Sequence, residues 1–133
     1  MIDNRMAIVM VGYDGYDDIW VDFFNLYKKN WPNCPYKIYL VDNEKGYDMP
    51  GLTVIHAGKG AEWSIKVQKA LEILEEKYIC LLLEDFYFGN LVDNNTVSEI
   101  LDFMDSDNLK YYKLNSFSKI KTPNYKDIDY LHV

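Results

Sequence analysis

The sequence predicts an α/β protein: a mostly parallel sheet with helices on both faces, in three layers. Two observations carry this. Short apolar runs alternate with stripes of helical period, in the order β-α-β-β-α-β-α-β. Two of those runs, "MAIVMVG" (Met6–Gly12) and "YICLLL" (Tyr78–Leu83), are apolar almost throughout, as strands covered on both faces must be. The 133 residues suit a single domain, 1–133, and 49% hydrophobic content is too high for a disordered chain.

Each element has its own warrant. Gly closes the first strand, and "YDGYDD" forms a loop whose Asp17 or Asp18 would cap and charge-stabilise the next helix. That helix carries Trp20, Phe23, Phe24, Tyr27 and Trp31 on one stripe and stops at Pro32. "KIYLV" (Lys37–Val41) is the second strand. "NEKGYDMPG" is rich in turn residues, and "TVIHA" (Thr53–Ala57) is the third strand. About ten residues join these two strands, near the lower limit for a parallel crossover, so the third strand is expected at an edge or after an irregular link. A "GKG" loop leads into a second helix with Trp63, Val67, Ala70, Leu71 and Leu74 on its apolar face, where Trp63 is expected in the core. Tyr78–Leu83 is the fourth strand. The third helix is expected to start near Thr96, where Thr96 and Glu99 have capping-box spacing, with Val97, Ile100, Leu101 and Met104 inward. "LKYYKL" (Leu109–Leu114) reads as a fifth strand, and 115–133 as an irregular tail.

Charge and cysteine usage narrow the function classes. A net charge of −7 with scattered Lys opposes binding to a nucleic-acid backbone, but a phosphate-bearing small ligand is compatible with it. Cys34 and Cys80 have no metal-type spacing, His56 and His132 lie far apart, and a zinc site is not expected. His56 is expected to be structural. The start lacks the apolar segment of a signal peptide, and no run approaches a membrane span. A reduced, cytoplasmic setting follows as the expectation.

In open α/β sheets ligands bind beyond the carboxyl ends of the strands. Those ends are Tyr13 and Asp14, then Asp42 and Asn43, then Gly58, Lys59 and Gly60, and then Glu84 and Asp85. Adjacent carboxylates repel unless a cation neutralises them or one pKa rises; a hard ion such as Mg²⁺ or Mn²⁺ bridging phosphates would neutralise them, and the plainer alternative is that one of the pair caps a turn or pairs with a Lys. Because successive strand residues point to opposite sides, Glu84 and Asp85 need not share one ion. "GKG" lacks the P-loop spacing, and no G-x-G-x-x-G occurs, which disfavours a dinucleotide site of that type.

Together these residues resemble the donor-binding, N-terminal half of GT-A-fold glycosyltransferases that use nucleotide-sugars, in the inverting, bacterial surface-polysaccharide group. The resemblance runs from about Met6 to Leu114. It rests on "YLVDN" (Val41-Asp42-Asn43), on "AGKGAEWSIKVQKAL", and on "ICLLLEDFYF" in the place of a D-x-D motif. It implies a Rossmann-like fold. It also implies that Tyr13 and Asp14 line the base and ribose, that Asp42 accepts a hydrogen bond from the base, and that Lys66 lies near the diphosphate. Asp85, with Glu84, would hold a divalent Mg or Mn ion, a Lewis acid toward the leaving nucleotide. The sugar would pass to a glycan or lipid-linked acceptor; peripheral association with a membrane would suit the latter. Two departures stand out. Phe86 occupies the second acidic position of D-x-D, and the family's acceptor-binding half, with its general base, lies beyond the matching stretch. The chain is therefore expected to be a fragment, or a short relative that binds the nucleotide-sugar without turnover. A phosphorelay receiver domain, citing Asp14, Asp17 and Lys113, is the competing class, but "TVIHA" offers no phosphoacceptor Asp at the end of the third strand.

Overall fold

The computed structural model describes residues 2–112, and within them the expected α/β class is present. Four strands form one parallel sheet: β1 (Met6–Val11), β2 (Lys37–Asp42), β3 (Leu52–His56) and β4 (Tyr78–Leu83), in the order β3-β2-β1-β4. Three helices accompany it: α1 (Asp17–Asn30), α2 (Trp63–Ile73) and α3 (Asn94–Ser106). A 3-10 turn, Asp14–Tyr16, precedes α1. The register aligns Val11 with both Val41 and Leu83. Three neighbouring strands thus end level, and the residues that follow them start side by side at the carboxyl edge.

Alternation along β1 divides the core. Met6, Ile8 and Met10 pack with the aromatic stripe of α1 and with Val97 and Leu101 of α3. Ala7, Val9 and Val11 pack on the other face with Ala70 and Val67 of α2. Every residue of β1 is buried, which is why that strand is apolar at each position. Cys80 is one of the buried residues on the α1 side, and burial pushes its thiol up to about 12.

The link between β2 and β3 contains no helix. It is nevertheless a parallel crossover, and β3 lies at the sheet edge. Met49 of this link is buried in the core and Tyr47 stacks on Phe24, with ring centroids 4.7 Å apart. Those two side chains do the covering that a crossover helix would otherwise do.

The aromatic run after β4 has a packing cause. Phe88 is buried, with its ring 5.8 Å from Phe23, 5.8 Å from Tyr27 and 5.7 Å from Trp31. The Asn30 side-chain amide donates to the Phe88 carbonyl, and Val92 N–H donates to the Asn30 carbonyl at 2.8 Å. The segment is thereby pinned to the end of α1.

Three local expectations are corrected. α1 is not capped by the Asp17 or Asp18 side chain; its N-cap is Tyr16, and both acids sit in the first turn, where they favour the helix dipole. α3 begins before Thr96: Asp93 is the N-cap, accepting from Asn95 N–H at 3.0 Å, and Thr96 Oγ1 donates back to Asp93 at 3.0 Å. Of the expected fifth strand, residues 109–112 are not in a strand, and the rest lies outside the described residues, as does the 115–133 tail. Among the described residues no helix is long and apolar enough to cross a membrane.

Candidate functional site

A cavity of about 710 Å³ opens at the carboxyl edge, beyond β1 and β4 and beside the start of α2. Its size is that of a small-molecule site. Val11, Ile19 and Leu83 form apolar wall, while Tyr13, Tyr16, Asn43, Glu62, Trp63, Lys66, Glu84 and Asp85 bring polar or aromatic groups.

Gly12 sits where the cavity meets the core. A Cβ there would lie 2.9 Å from Trp20 Nε1, and Trp20 is wholly buried, so only glycine fits. The peptide joining Gly12 to Tyr13 is held from both ends. Lys66 Nζ donates to the Gly12 carbonyl at 2.9 Å, and Glu84 Oε1 accepts from Tyr13 N–H at 3.3 Å. Lys66 is only 4% exposed and Glu84 only 8%. These two charges make no ion pair with each other; one peptide unit stands between them, stabilised by a charge-assisted bond on each side. The Lys66 ammonium also lies 5.7 Å from the centroid of the Tyr13 ring.

The two acids after β4 separate. Phe86 N–H donates to the Leu83 carbonyl at 3.0 Å, which closes a turn with Glu84 and Asp85 at its centre. Glu84 points inward to Tyr13 N–H, and Asp85 is exposed with no hydrogen-bond partner among the described residues. Both line the cavity. A strand therefore runs straight into paired charge because the pair forms its exit turn.

Asp14 and Asp42 are turned elsewhere. The Asp14 carboxylate accepts from Asn43 N–H at 3.0 Å, Glu44 N–H at 2.9 Å and Lys45 N–H at 3.1 Å, and so fastens the β2 exit loop to the β1 exit loop. Asp42 is 0% exposed. One of its oxygens accepts from Gly46 N–H at 2.6 Å, and the other meets His56 Nδ1 at 2.7 Å. Neither Asp14 nor Asp42 lines the cavity. Beside them Lys45 pairs with Asp17 and holds that carboxyl below its ordinary value. Of the strand-end and site residues expected from the sequence, the cavity brings together Tyr13, Asn43, Gly60, Lys66, Glu84 and Asp85.

Trp63 corrects an expectation. It is 51% exposed at the cavity rather than in the core. α2 leads from the carboxyl end of β3 back toward the amino end of β4, so its first turn overhangs the sheet edge. Lys66 and Ala70 are the buried positions of this helix, while Leu71 is exposed. Tyr16 and Glu62, not singled out from the sequence, also line the cavity. Their signal is position alone: each stands between a strand end and the helix that follows it, as that helix's N-cap. In the GKG loop, Gly58 (φ 108°) and Gly60 (φ 73°) take conformations that favour glycine. The Asn43 amide donates to the Gly58 and Ala61 carbonyls at 3.0 and 3.2 Å and ties that loop to the end of β2.

Among the described residues no group of three or more His, Cys, Asp or Glu side chains is gathered for a metal. Mg²⁺ needs less, since it binds through one or two carboxylates and takes its other ligands from phosphate and water. Glu84 and Asp85, which both line the cavity, are carboxylates of the type such an ion takes. Three carboxylates, Glu62, Glu84 and Asp85, line the cavity against one ammonium, Lys66, an excess of two negative charges. No family model, curated protein or solved structure matches the chain.

Proposed function

We propose that this cavity binds the diphosphate of a nucleotide-sugar together with a divalent cation, as the donor site of a glycosyltransferase-like domain. One observation carries the reading: Lys66, Glu84 and Asp85 line a single cavity at the level ends of the neighbouring strands β1 and β4. Lys66 offers an ammonium toward the phosphates, and its bond to Gly12 keeps it from swinging away. Asp85, with the oxygen of Glu84 not used by Tyr13 N–H, would hold Mg²⁺ or Mn²⁺. When bound, that ion supplies Lewis-acid stabilisation of the diphosphate leaving group. The negative excess of the lining repels a bare diphosphate, so binding requires the cation. Sugar transfer to a glycan or lipid-linked acceptor is the reaction that such a site serves.

The test is a thermal-shift titration of a uridine diphosphate sugar in Mn²⁺ and in EDTA. Ligand at a hundred times its Kd stabilises the native state by about 2.7 kcal/mol, on the order of 8 °C for a domain of this size. That rise is expected in Mn²⁺ and not in EDTA, and Asp85→Ala is expected to remove it. No rise with any nucleotide would overturn the reading. Release of free sugar or its transfer to an acceptor distinguishes a transferase from a module that only binds.

A further inference from the structure

We propose that one phosphate of the diphosphate sits on the amino end of α2, bonded by the backbone N–H groups of Trp63, Ser64 and Ile65 and by the Lys66 ammonium. This rests on the donor-site reading above and adds to it which atoms of the protein hold a phosphoryl group directly, without the metal between. The first N–H groups of a helix have no partner within it. In α2 nothing else supplies one. The first bond onto its N-cap runs from Lys66 N–H to the Glu62 carbonyl at 3.1 Å, and the N–H groups of Trp63, Ser64 and Ile65 make no hydrogen bond among the described residues. The Glu62 side chain does not cap them, and the first turn carries no acid. By contrast α3 is capped by Asp93, and α1 has Asp17 and Asp18 in its first turn. Glu62 and Trp63 line the cavity, so this end of α2 opens on it.

A free helix end by itself is served by water. Lys66 is a second and independent observation. It is 4% exposed, it lines the same cavity, and it spends one of three N–H donors on the Gly12 carbonyl at 2.9 Å. Its other two donors make no hydrogen bond to another described residue. A buried ammonium with donors unspent is costly unless an acceptor comes to it. The helix end and the ammonium favour the same kind of group, a compact anion with several acceptor oxygens. A phosphoryl group has that form. Glu84 and Asp85 line the same cavity with the opposite preference. A diphosphate can therefore meet α2 through one phosphate while the cation relieves its repulsion from the carboxylates.

The test removes one backbone donor and keeps the helix. Proline is favoured at the first helical position, which is Trp63, and Glu62 before it, at φ −80° and ψ 170°, already has the extended backbone that a residue preceding proline takes. Trp63→Pro lacks both the indole and the N–H; Trp63→Ala lacks only the indole, so the difference between the two variants reports the N–H. The probe is inorganic pyrophosphate in Mn²⁺, titrated calorimetrically. Trp63→Pro is expected to bind it about tenfold more weakly than Trp63→Ala, as the loss of one hydrogen bond to a charged group requires. In the unsubstituted chain the same titration, followed by NMR, is expected to move the amide proton signals of Trp63, Ser64 and Ile65 downfield, a readout that needs no variant. Equal affinity of the two folded variants, or three unmoved amides, would overturn this inference; Mn²⁺-dependent binding that is lost in Asp85→Ala would still leave the donor-site reading standing. Failure of pyrophosphate and of every nucleoside diphosphate to bind would overturn both.

Discussion

Asp42 shows how one side chain can look like a ligand and serve as a fastener. Its carboxylate is fully buried and meets both the backbone of its own exit loop and the His56 ring of the edge strand. Asp42→Ala would leave Gly46 N–H without its acceptor and free His56 from β2. A destabilisation of about 1–3 kcal/mol is expected, read as a lower denaturation midpoint in urea with an unchanged slope. Nucleotide affinity in the folded fraction should change little, since Asp42 does not line the cavity. That four strand ends would collect polar groups was legible in the sequence, because apolar runs mark where strands stop. Which carboxylate turns outward was not. Asp14 and Asp42 turn toward backbone N–H groups whose direction is set by the folded loops, and no spacing rule records that direction. Lys66 is a parallel case: buried on the inner face of α2, it breaks the apolar stripe because a peptide carbonyl awaits it.

At the scale of elements, helices were legible by period and less so at their ends. The aromatic stripe of α1 is buried as its spacing predicts. The start of α3 was misplaced because two capping patterns overlap in "DNNTVSE": Thr96 has the capping-box spacing, but Asp93 is the residue that accepts from a free backbone N–H. Asp93→Ala is therefore expected to cost about 1 kcal/mol, and Thr96→Ala only a few tenths, measured by paired chemical denaturation. Equal costs, or the reverse order, would contradict this assignment of the cap. For α2 the period is right but its first turn projects past the sheet, so Trp63 meets solvent and the cavity instead of the core. Period describes which way a residue faces around the helix axis; it does not say whether anything lies opposite it.

The whole molecule is an arrangement for ending strands together. A level register across β2, β1 and β4 places two exit loops and one exit turn in a row, and packing on both faces of the sheet makes that row rigid. α2 adds a buried ammonium and an exposed indole from the side. The outcome is a hollow lined by one buried ammonium, three carboxylates and aromatic rings; under the function proposed above, its excess of negative charge would make a metal a condition of binding. The measurement that tests this most directly is an amide NMR titration of the folded chain with UDP, carried out with and without Mg²⁺. With Mg²⁺ present, the largest shifts are expected at Tyr13, Tyr16, Trp63, Lys66, Glu84 and Asp85, with small changes along β3; without it, the spectrum should barely move. Shifts centred elsewhere on the sheet, or equal binding in the absence of the metal, would contradict the account.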